Sequence, residues 1–377
     1  MKKILVMSIG TQIGGIERSL IEFLKFVVTQ DCKVDLYLWQ EPGPLFDRIP
    51  KEVNIIEKEF YPKSLAEAKS KKGIKKISAL FKYILFRITR AFNWPTASFA
   101  KFDGEYDIAL AFCHNGFSPE YVATKVNAKK KYMFFRHVEY EYDKYPWKHF
   151  NKIYQKFDNV VAVSNATREM LKQTFPELKN ILVIKNLFDE ESIIEKSKVK
   201  TETFSSNKCR LCSVGRVSPE KGQKFAVEVA KELSEMNFEY EWIFVGDGED
   251  KEYCIEKTKE YGISNSCKFI GAKENPYPFV KTADIYVQTS FVEGNPGTIQ
   301  EAKILNKPII ASNIDAIKEV LKEGRFGVTC SLKTKDFATK IIKTYQELLD
   351  SNKENIFVGG MPDNAENKQA IKEWLEI

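Results

Sequence analysis

Two glutamates, Glu293 and Glu301, bracket a turn, Gly294-Asn295-Pro296-Gly297, that opens onto Thr298 and Ile299. An alternating apolar run, residues 283–289, precedes the turn and reads as a strand. Apolar Ile299, Ala302, Ile304 and Leu305 follow at the spacing of an amphipathic helix. Strand, glycine turn and helix together aim free backbone N–H groups at an anion. A carboxylate at each end adds partners for hydroxyls on both sides of that anion. A nucleotide sugar has this chemistry: one glutamate for the sugar, phosphates over the helix start, the other glutamate for the ribose. An ordinary loop beside a helix would carry the same residues, so the pair needs company.

That company is Gly215-Arg216 and Lys221-Gly222, a glycine-bounded loop with two cations after the apolar run 210–214. Arginine offers phosphate oxygens a planar fork and lysine a compact charge. The carboxyl end of a parallel strand is where such sheets bind ligands, and the shared target would be a pyrophosphate. A second strand, glycine turn and helix occurs at the start of the chain, where 3–8 leads through Gly14 and Gly15 into a helix from Glu17. It lacks the G-x-G-x-x-G spacing of dinucleotide enzymes. Val245-Gly246-Asp247-Gly248-Glu249-Asp250 resembles an acidic metal motif, yet Asp and Gly after a strand also suit turn chemistry alone. Cys209 and Cys212 have C-x-x-C spacing, but in a strand they face opposite sides.

Strands are expected at 3–8, 33–39, 106–112, 131–135, 159–163, 181–184, 210–214, 240–245, 268–270, 284–288 and 308–311. Helical stretches alternate with them, which implies parallel sheets covered on both faces. With 377 residues, two domains are the default. The charged stretch 190–208 lacks an apolar period and reads as the linker. This gives an N-terminal domain 1–189 and a C-terminal domain 209–362. A helix at 368–376, after a return loop at 352–367, is expected to cross back to the first domain, giving it 368–377. Two doubly wound domains would face a cleft with the carboxyl ends of their strands.

An apolar share of 43% and a charged share of 29% are those of a soluble globular chain. No apolar run reaches the length of a membrane span. The first apolar run is too short for a signal peptide. Seven scattered cysteines suit reduced thiols in the cytoplasm. A net charge of +6 is too small to call for nucleic acid. It is unevenly placed, however. Residues 69–90 contain Lys71, Lys72, Lys75, Lys76 and Lys82 among eight basic residues and no acid, with Ile74, Ile77, Leu80, Phe81, Ile84, Leu85 and Ile88 at helical spacing. Such a helix either lies on an anionic membrane surface or packs its apolar stripe on the domain.

Taken in order, Gly14-Gly15 with Glu17, Val163-Ser164, Asn186, Gly215-Arg216 with Lys221-Gly222, Gly246 with Gly248-Glu249, and Glu293-Gly294 with Glu301-Ala302 resemble the family 4 retaining glycosyltransferases of GT-B architecture. The resemblance covers residues 1 to about 345. It implies two Rossmann-like doubly wound domains, the first for the acceptor and the second for a nucleotide-sugar donor, UDP- or GDP-linked. Glu293 would contact the donor sugar and Glu301 the ribose. Arg216 and Lys221 would neutralise the departing pyrophosphate, helped by backbone N–H groups of Gly15, Thr298 and Ile299. Gly246, Gly294, Asn295 and Gly297 complete the donor set it implies. His137, at the end of a first-domain strand, would lie near the donor sugar. The anomeric configuration would be retained, the leaving phosphate accepting the acceptor's proton, with no metal and no other cofactor. Asn295 and Gln300 stand where the family usually has apolar or aromatic residues, so the identity of the sugar is not carried over.

The resulting expectation is a cytoplasmic enzyme, peripheral on the inner face of the cell membrane, that transfers a hexose-type sugar to a lipid-linked or polysaccharide acceptor in cell-surface glycan synthesis. A nucleotide-sugar epimerase or hydrolase on the same scaffold, and a non-catalytic partner subunit, stay open.

Overall fold

The computed structural model describes residues 1–40, 42–56, 65–91, 103–114, 118–137, 147–201, 204, 208–322, 326–350 and 364–377. They form two units. The first comprises 1–163, 167–185 and 367–377; the second comprises 164–166 and 186–366.

The first unit has seven parallel strands: β1 (Lys2–Ser8), β2 (Cys32–Leu38), β3 (Asn54–Ile55), β4 (Glu105–Ala111), β5 (Asn127–Phe135), β6 (Asn159–Ala162) and β7 (Ile181–Val183). Their order is β3-β2-β1-β4-β5-β6-β7. The helices are α1 (Gly15–Val27), α2 (Leu65–Ser70), α3 (Ile74–Ala91), α4 (Ser118–Lys125), α5 (Trp147–Tyr154) and α6 (Asn165–Thr174). Central strands are buried on both faces, as Ile4, Leu5, Val6 and Met7 all have no exposed surface. That is why the strands read as unbroken apolar runs.

α7 (Glu190–Ser197) opens the second unit. Strands β8 (Cys209–Val214), β9 (Tyr240–Val245), β10 (Cys267–Phe269), β11 (Ile285–Gln288), β12 (Ile309–Ser312) and β13 (Val328–Cys330) follow, in the order β10-β9-β8-β11-β12-β13 and all parallel. Between them run α8 (Gln223–Glu235), α9 (Lys251–Glu260), α10 (Tyr277–Thr282), α11 (Gly297–Ile304), α12 (Asp315–Leu321) and, after β13, α13 (Thr334–Asp350). Cys212, Ile243, Tyr286 and Ile309 pack on one face of this sheet; Leu211, Trp242, Val287 and Ile310 pack on the other. Cys209 and Cys212 divide between the two faces, and burial raises both thiols above their ordinary range. The doubly wound α/β fold is therefore as expected for each unit.

Three readings need correction. Residues 190–208 are not a plain linker. Asp189 caps α7 by accepting from the Ser192 N–H at 3.0 Å, two glutamates follow in the first turn, and Ile193 is buried among second-unit residues. The helix was hidden because a single turn of apolar residues has no measurable period. The last helix, α14 (Asn364–Leu375), starts before 368, within the expected return loop; the rest of that loop, 352–363, lies outside the described residues, as does 351–362 of the expected C-terminal domain. Its start is bolted to the second unit by Asn364, which donates to the Phe188 carbonyl at 2.8 Å and accepts from the Phe188 N–H at 3.1 Å. Its end belongs to the first unit, with Trp374 against Tyr132 and Phe134 and the Leu375 carbonyl accepting from Lys2. β3 and β13 are the unexpected strands; at two and three residues they are set by pairing with β2 and β12, not by pattern.

The apolar stripe of α3 is not spent on the sheet. Ile74, Ile77, Phe81 and Ile84 are exposed at 85%, 71%, 64% and 53%. Ala79 is buried, Leu80 half-buried, and α2 is the principal neighbour among the described elements.

At the carboxyl end of β4, His114 is buried and stacks on Phe135 with ring centres 4.0 Å apart. Its Nδ1 accepts from the Arg136 N–H at 3.4 Å, which places the neutral ring's proton on Nε2. Burial, then the charges of His137 and Arg136, hold its pKa well below 6.5. The unfolded chain takes up a proton near 6.5 that the folded chain refuses. Stability is thus complete above that pH and is lost as the pH falls from there towards the depressed folded value. We expect the pH dependence of urea stability between pH 7 and 5 to flatten in His114→Asn, whose carboxamide oxygen can still accept from Arg136, by up to about 1.4 kcal/mol per pH unit. Parallel curves for the two proteins would contradict a neutral buried His114.

Candidate active site

In the second unit the chain leaves β8 for β9 and β10 on one side, then crosses to β11, β12 and β13 on the other. The point where winding reverses lies between β8 and β11, which pair in parallel through Leu211–Ile285 and Cys212–Tyr286. Open α/β sheets bind ligands at such a switch point, outside the carboxyl ends of the strands. The loops after these two strands are the ones that carry Arg216, Lys221 and Glu293.

The two loops are stitched together. The Phe291 N–H donates to the Glu220 carbonyl at 2.9 Å, and Thr289 Oγ1 donates to the Gly222 carbonyl at 3.0 Å. Gly222 has φ +70°, and a Cβ there would stand 2.2 Å from the Thr289 carbonyl oxygen. Only glycine allows this approach and this backbone. Gly246 is needed for similar reasons of space: a Cβ would fall 1.8 Å from the Gly215 carbonyl oxygen. The structure thus assigns Gly246 a part in holding the β8 loop.

The stitching brings Lys221 onto Glu293. Lys221 Nζ lies 2.8 Å from Glu293 Oε1, and the carboxylate is buried at 6% exposure. The same oxygen accepts from Gln288 Nε2 at 2.6 Å and from Ser290 Oγ at 2.8 Å. The second oxygen, Oε2, has no hydrogen-bond partner among the described residues. Three donors on one oxygen fix the carboxylate and leave the other oxygen for a ligand hydroxyl. Lys221, expected at the pyrophosphate, is ion-paired with Glu293, the residue expected at the sugar. Its geometry alone therefore does not make it a phosphate ligand.

Arg216 behaves differently. Its side chain is 71% exposed, and Glu220, the acid it pairs with, is 3.9 Å away, so its charge stands in solvent. At the start of α11, the Ile299 and Gln300 N–H groups turn back to the Pro296 carbonyl at 3.2 and 3.3 Å. The Gly297 and Thr298 N–H groups have no partner among the described residues, so the donors left open at the helix start are these two and Ile299 is not among them. Thr298 Oγ1 donates to Gln288 Oε1 at 2.8 Å. Gly294 and Asn295 sit half-buried between Glu293 and this turn.

Glu301 lies further along α11, buried, with Oε1 accepting from the Tyr277 hydroxyl at 3.1 Å. Asp247 is occupied by its own turn, accepting from the Gly248 N–H and from Lys251, each at 2.9 Å. Among the described residues no three His, Cys, Asp or Glu side chains cluster as metal ligands.

In the first unit Gly15 begins α1 with nothing within 4 Å of an added Cβ. Its small size therefore serves no contact inside the chain. His137 is half-buried after β5, with its ring 5.2 Å from His114. Below it, Arg136 is enclosed by Phe112 and Phe134, donates to the Phe112 carbonyl at 2.8 Å, and has its pKa pushed down to about 9 by burial. Sequence reasoning missed Gln288, Ser290, Tyr277, His114 and Arg136. Gln288 and His114 carried a signal: each is a polar residue closing an otherwise apolar strand run.

The sequence model described as Glycosyltransferase Family 4 matches residues 13–192, and that described as Glycosyl transferases group 1 matches residues 195–358. An uncharacterised glycosyltransferase of Methanocaldococcus jannaschii is 32% identical over 259 residues, 64% of this chain and 62% of that one. The capsular polysaccharide biosynthesis glycosyltransferase CapH of Staphylococcus aureus is 29% identical over 52% of this chain and 56% of its own. The chain thus spans less than two thirds of the length of these curated relatives. Among solved structures, Anabaena HepE in complex with UDP and glucose superposes with a TM-score of 0.69 at 17% identity over all of both chains. TarM does so with a TM-score of 0.69 at 14% identity, over 100% of this chain and 98% of its own. With one glycosyltransferase model over each half and the GT-B fold in common, the chain belongs to the family 4 glycosyltransferases.

Proposed function

We propose that the protein is a retaining glycosyltransferase that takes a sugar from a nucleotide-sugar donor, UDP-linked for preference over GDP-linked, and places it on a lipid-linked or polysaccharide acceptor. The observation that carries this reading is the fixed Glu293 carboxylate, with Oε2 unused, beside the first-turn N–H groups of Gly297 and Thr298 and one side of the strand crossover. Solved relatives of the fold lend support: HepE was crystallised with UDP-glucose, and a pneumococcal O-GlcNAc transferase with UDP and GlcNAc. Curated relatives named for amylovoran and capsular polysaccharide synthesis support the acceptor class.

In this reading Glu293 Oε2 accepts from a donor-sugar hydroxyl and Glu301 from the ribose. The Gly297 and Thr298 N–H groups and the exposed Arg216 hold the pyrophosphate, whose charge grows as the bond from the anomeric carbon to phosphate oxygen breaks. Preorganised donors at such a leaving group supply several kcal/mol. Lys221 holds Glu293 in the empty site and shares its charge with the phosphates once they arrive. The acceptor hydroxyl forms the new bond to the anomeric carbon, and its proton passes to the departing phosphate oxygen on the same face. The first unit binds the acceptor; Gly15 begins its α1, and His137 follows its β5. No metal is needed in this scheme, since cationic and N–H groups already serve the phosphates.

Membrane attachment fits α3. Four large apolar residues on one exposed stripe are costly in water, and the flanking Lys71, Lys72, Lys75 and Lys76 are exposed while Lys82 is half-buried. The charge is wholly basic over 69–90, which favours an anionic bilayer at roughly 1 kcal/mol per lysine.

Calorimetric titration in EDTA with UDP, GDP, ADP and their sugar nucleotides should find one nucleotide that binds. Glu301→Ala should weaken it by about 1–3 kcal/mol. Binding of none would sink the donor reading, and a changed sugar without acceptor in the products would turn it to an epimerase. Vesicles containing phosphatidylglycerol should pull the protein down at low salt, neutral phosphatidylcholine vesicles should not, and Ile77→Ser with Phe81→Ser should abolish the effect. Equal sedimentation of wild type and double variant would contradict a role for α3.

A further inference from the structure

Gln288 closes β11 directly beneath Glu293 and is 6% exposed. Its carboxamide is fully engaged. Nε2 donates to Glu293 Oε1 at 2.6 Å and to Ser290 Oγ at 3.2 Å, while Oε1 accepts from the Tyr286 hydroxyl at 2.9 Å and from Thr298 Oγ1 at 2.8 Å. The amide can face only one way. A carboxylate has no proton to give, so it demands the NH2 side. With the NH2 side fixed by Glu293, the carbonyl side is left to the Tyr286 hydroxyl, which also reaches the Val214 carbonyl at 3.4 Å, and to Thr298 Oγ1.

This one side chain joins the two halves of the donor site. On one side is the carboxylate, its Oε1 held by three donors and its Oε2 without a hydrogen-bond partner among the described residues. On the other is the first turn of α11, where Thr298 offers its backbone N–H. An apolar residue, which would suit a strand end this deeply buried, could hold neither. We propose that Gln288 is a positioning residue: it turns Glu293 Oε2 to the donor's sugar and is itself steadied by the Thr298 hydroxyl. The assignment rests on the donor reading above and adds to it a division of labour. Gln288 governs recognition of the sugar and leaves the nucleotide's own contacts alone.

Gln288→Leu keeps the volume and removes all four hydrogen bonds. Gln288→Glu keeps the shape and sets two carboxylates against each other, so that the pair holds one proton at a raised pH. When protonated, Glu at this position can donate to Glu293 and still accept from Thr298. The test is calorimetric titration of UDP, UDP-glucose and UDP-N-acetylglucosamine into wild type and both variants, with folding checked by circular dichroism. We expect Gln288→Leu to bind UDP within about twofold of wild type and to lose about tenfold or more in affinity for the sugar nucleotide that wild type prefers. In Gln288→Glu the same loss should appear at pH 8 and be repaired as the pH is lowered, while Gln288→Leu stays weak throughout.

A residue that merely fills space would leave Gln288→Leu with wild-type sugar affinity and give Gln288→Glu no pH-dependent repair; either result overturns the assignment. Equal loss of UDP and sugar nucleotide in a folded Gln288→Leu also overturns it, because the effect would then belong to the whole site. A wild type that binds UDP but gains nothing from a sugar refutes it while sparing nucleotide binding. A wild type that binds none of the three removes the donor reading and this assignment together.

Discussion

A carboxylate taken out of water must be surrounded by donors, and Glu293 is the place where this protein meets that demand. Its three donors come from the turn before α8, the end of β11 and the loop just past it. They converge because β8 and β11 are hydrogen-bonded neighbours despite the two αβ turns between them in the chain. The parallel pairing sets the loops side by side. The close approach of Gly222 to Thr289 then sets their register, and the carboxylate settles where the donors already are. Breaking one partner of such a cluster leaves a buried charge unmet, which is far more costly than replacing the cluster as a whole.

Much of this was legible in the sequence because it is local. The glutamates, the glycines and the two cations sit in short motifs at the ends of apolar runs, and the runs themselves specify strands buried on both faces. What was not legible depends on distant partners. Lys221 reads as a cation for phosphate alone, and that Glu293 lies 2.8 Å from its ammonium cannot be read from the motif. The Ile299 N–H reads as an anion donor until Pro296 is seen to take it. In both cases an internal partner competes with the imagined ligand, and residue type cannot announce that. The helix at 190–197 failed for another reason: its cap and acidic first turn were present, but one buried isoleucine per turn makes no periodic signal.

The exposed stripe of α3 and the buried strand ends illustrate opposite uses of apolar residues. In the sheets, apolar runs are consumed by packing on two sides, and nothing is left to advertise. In α3 the stripe stays in solvent beside lysines. Hydrophobic periodicity alone could not separate these cases, since the helical spacing is the same whether the face meets a sheet or a lipid surface.

The course of the chain through its two units also sets an order of events during synthesis. Apart from residues 164–166, the second unit is one continuous stretch, 186–366, and has all its strands once β13 has been made. The first unit is interrupted by that stretch. Its seven described strands emerge early, yet the faces of Tyr132 and Phe134 that meet Trp374 stay open until α14 is made. Between those moments the nascent first unit exposes aromatic surface on β5 while the second unit folds. Nascent domains that keep apolar surface open are the ones that associate with chaperones or with each other. Slow passage of the ribosome over the second half of the message would lengthen that interval.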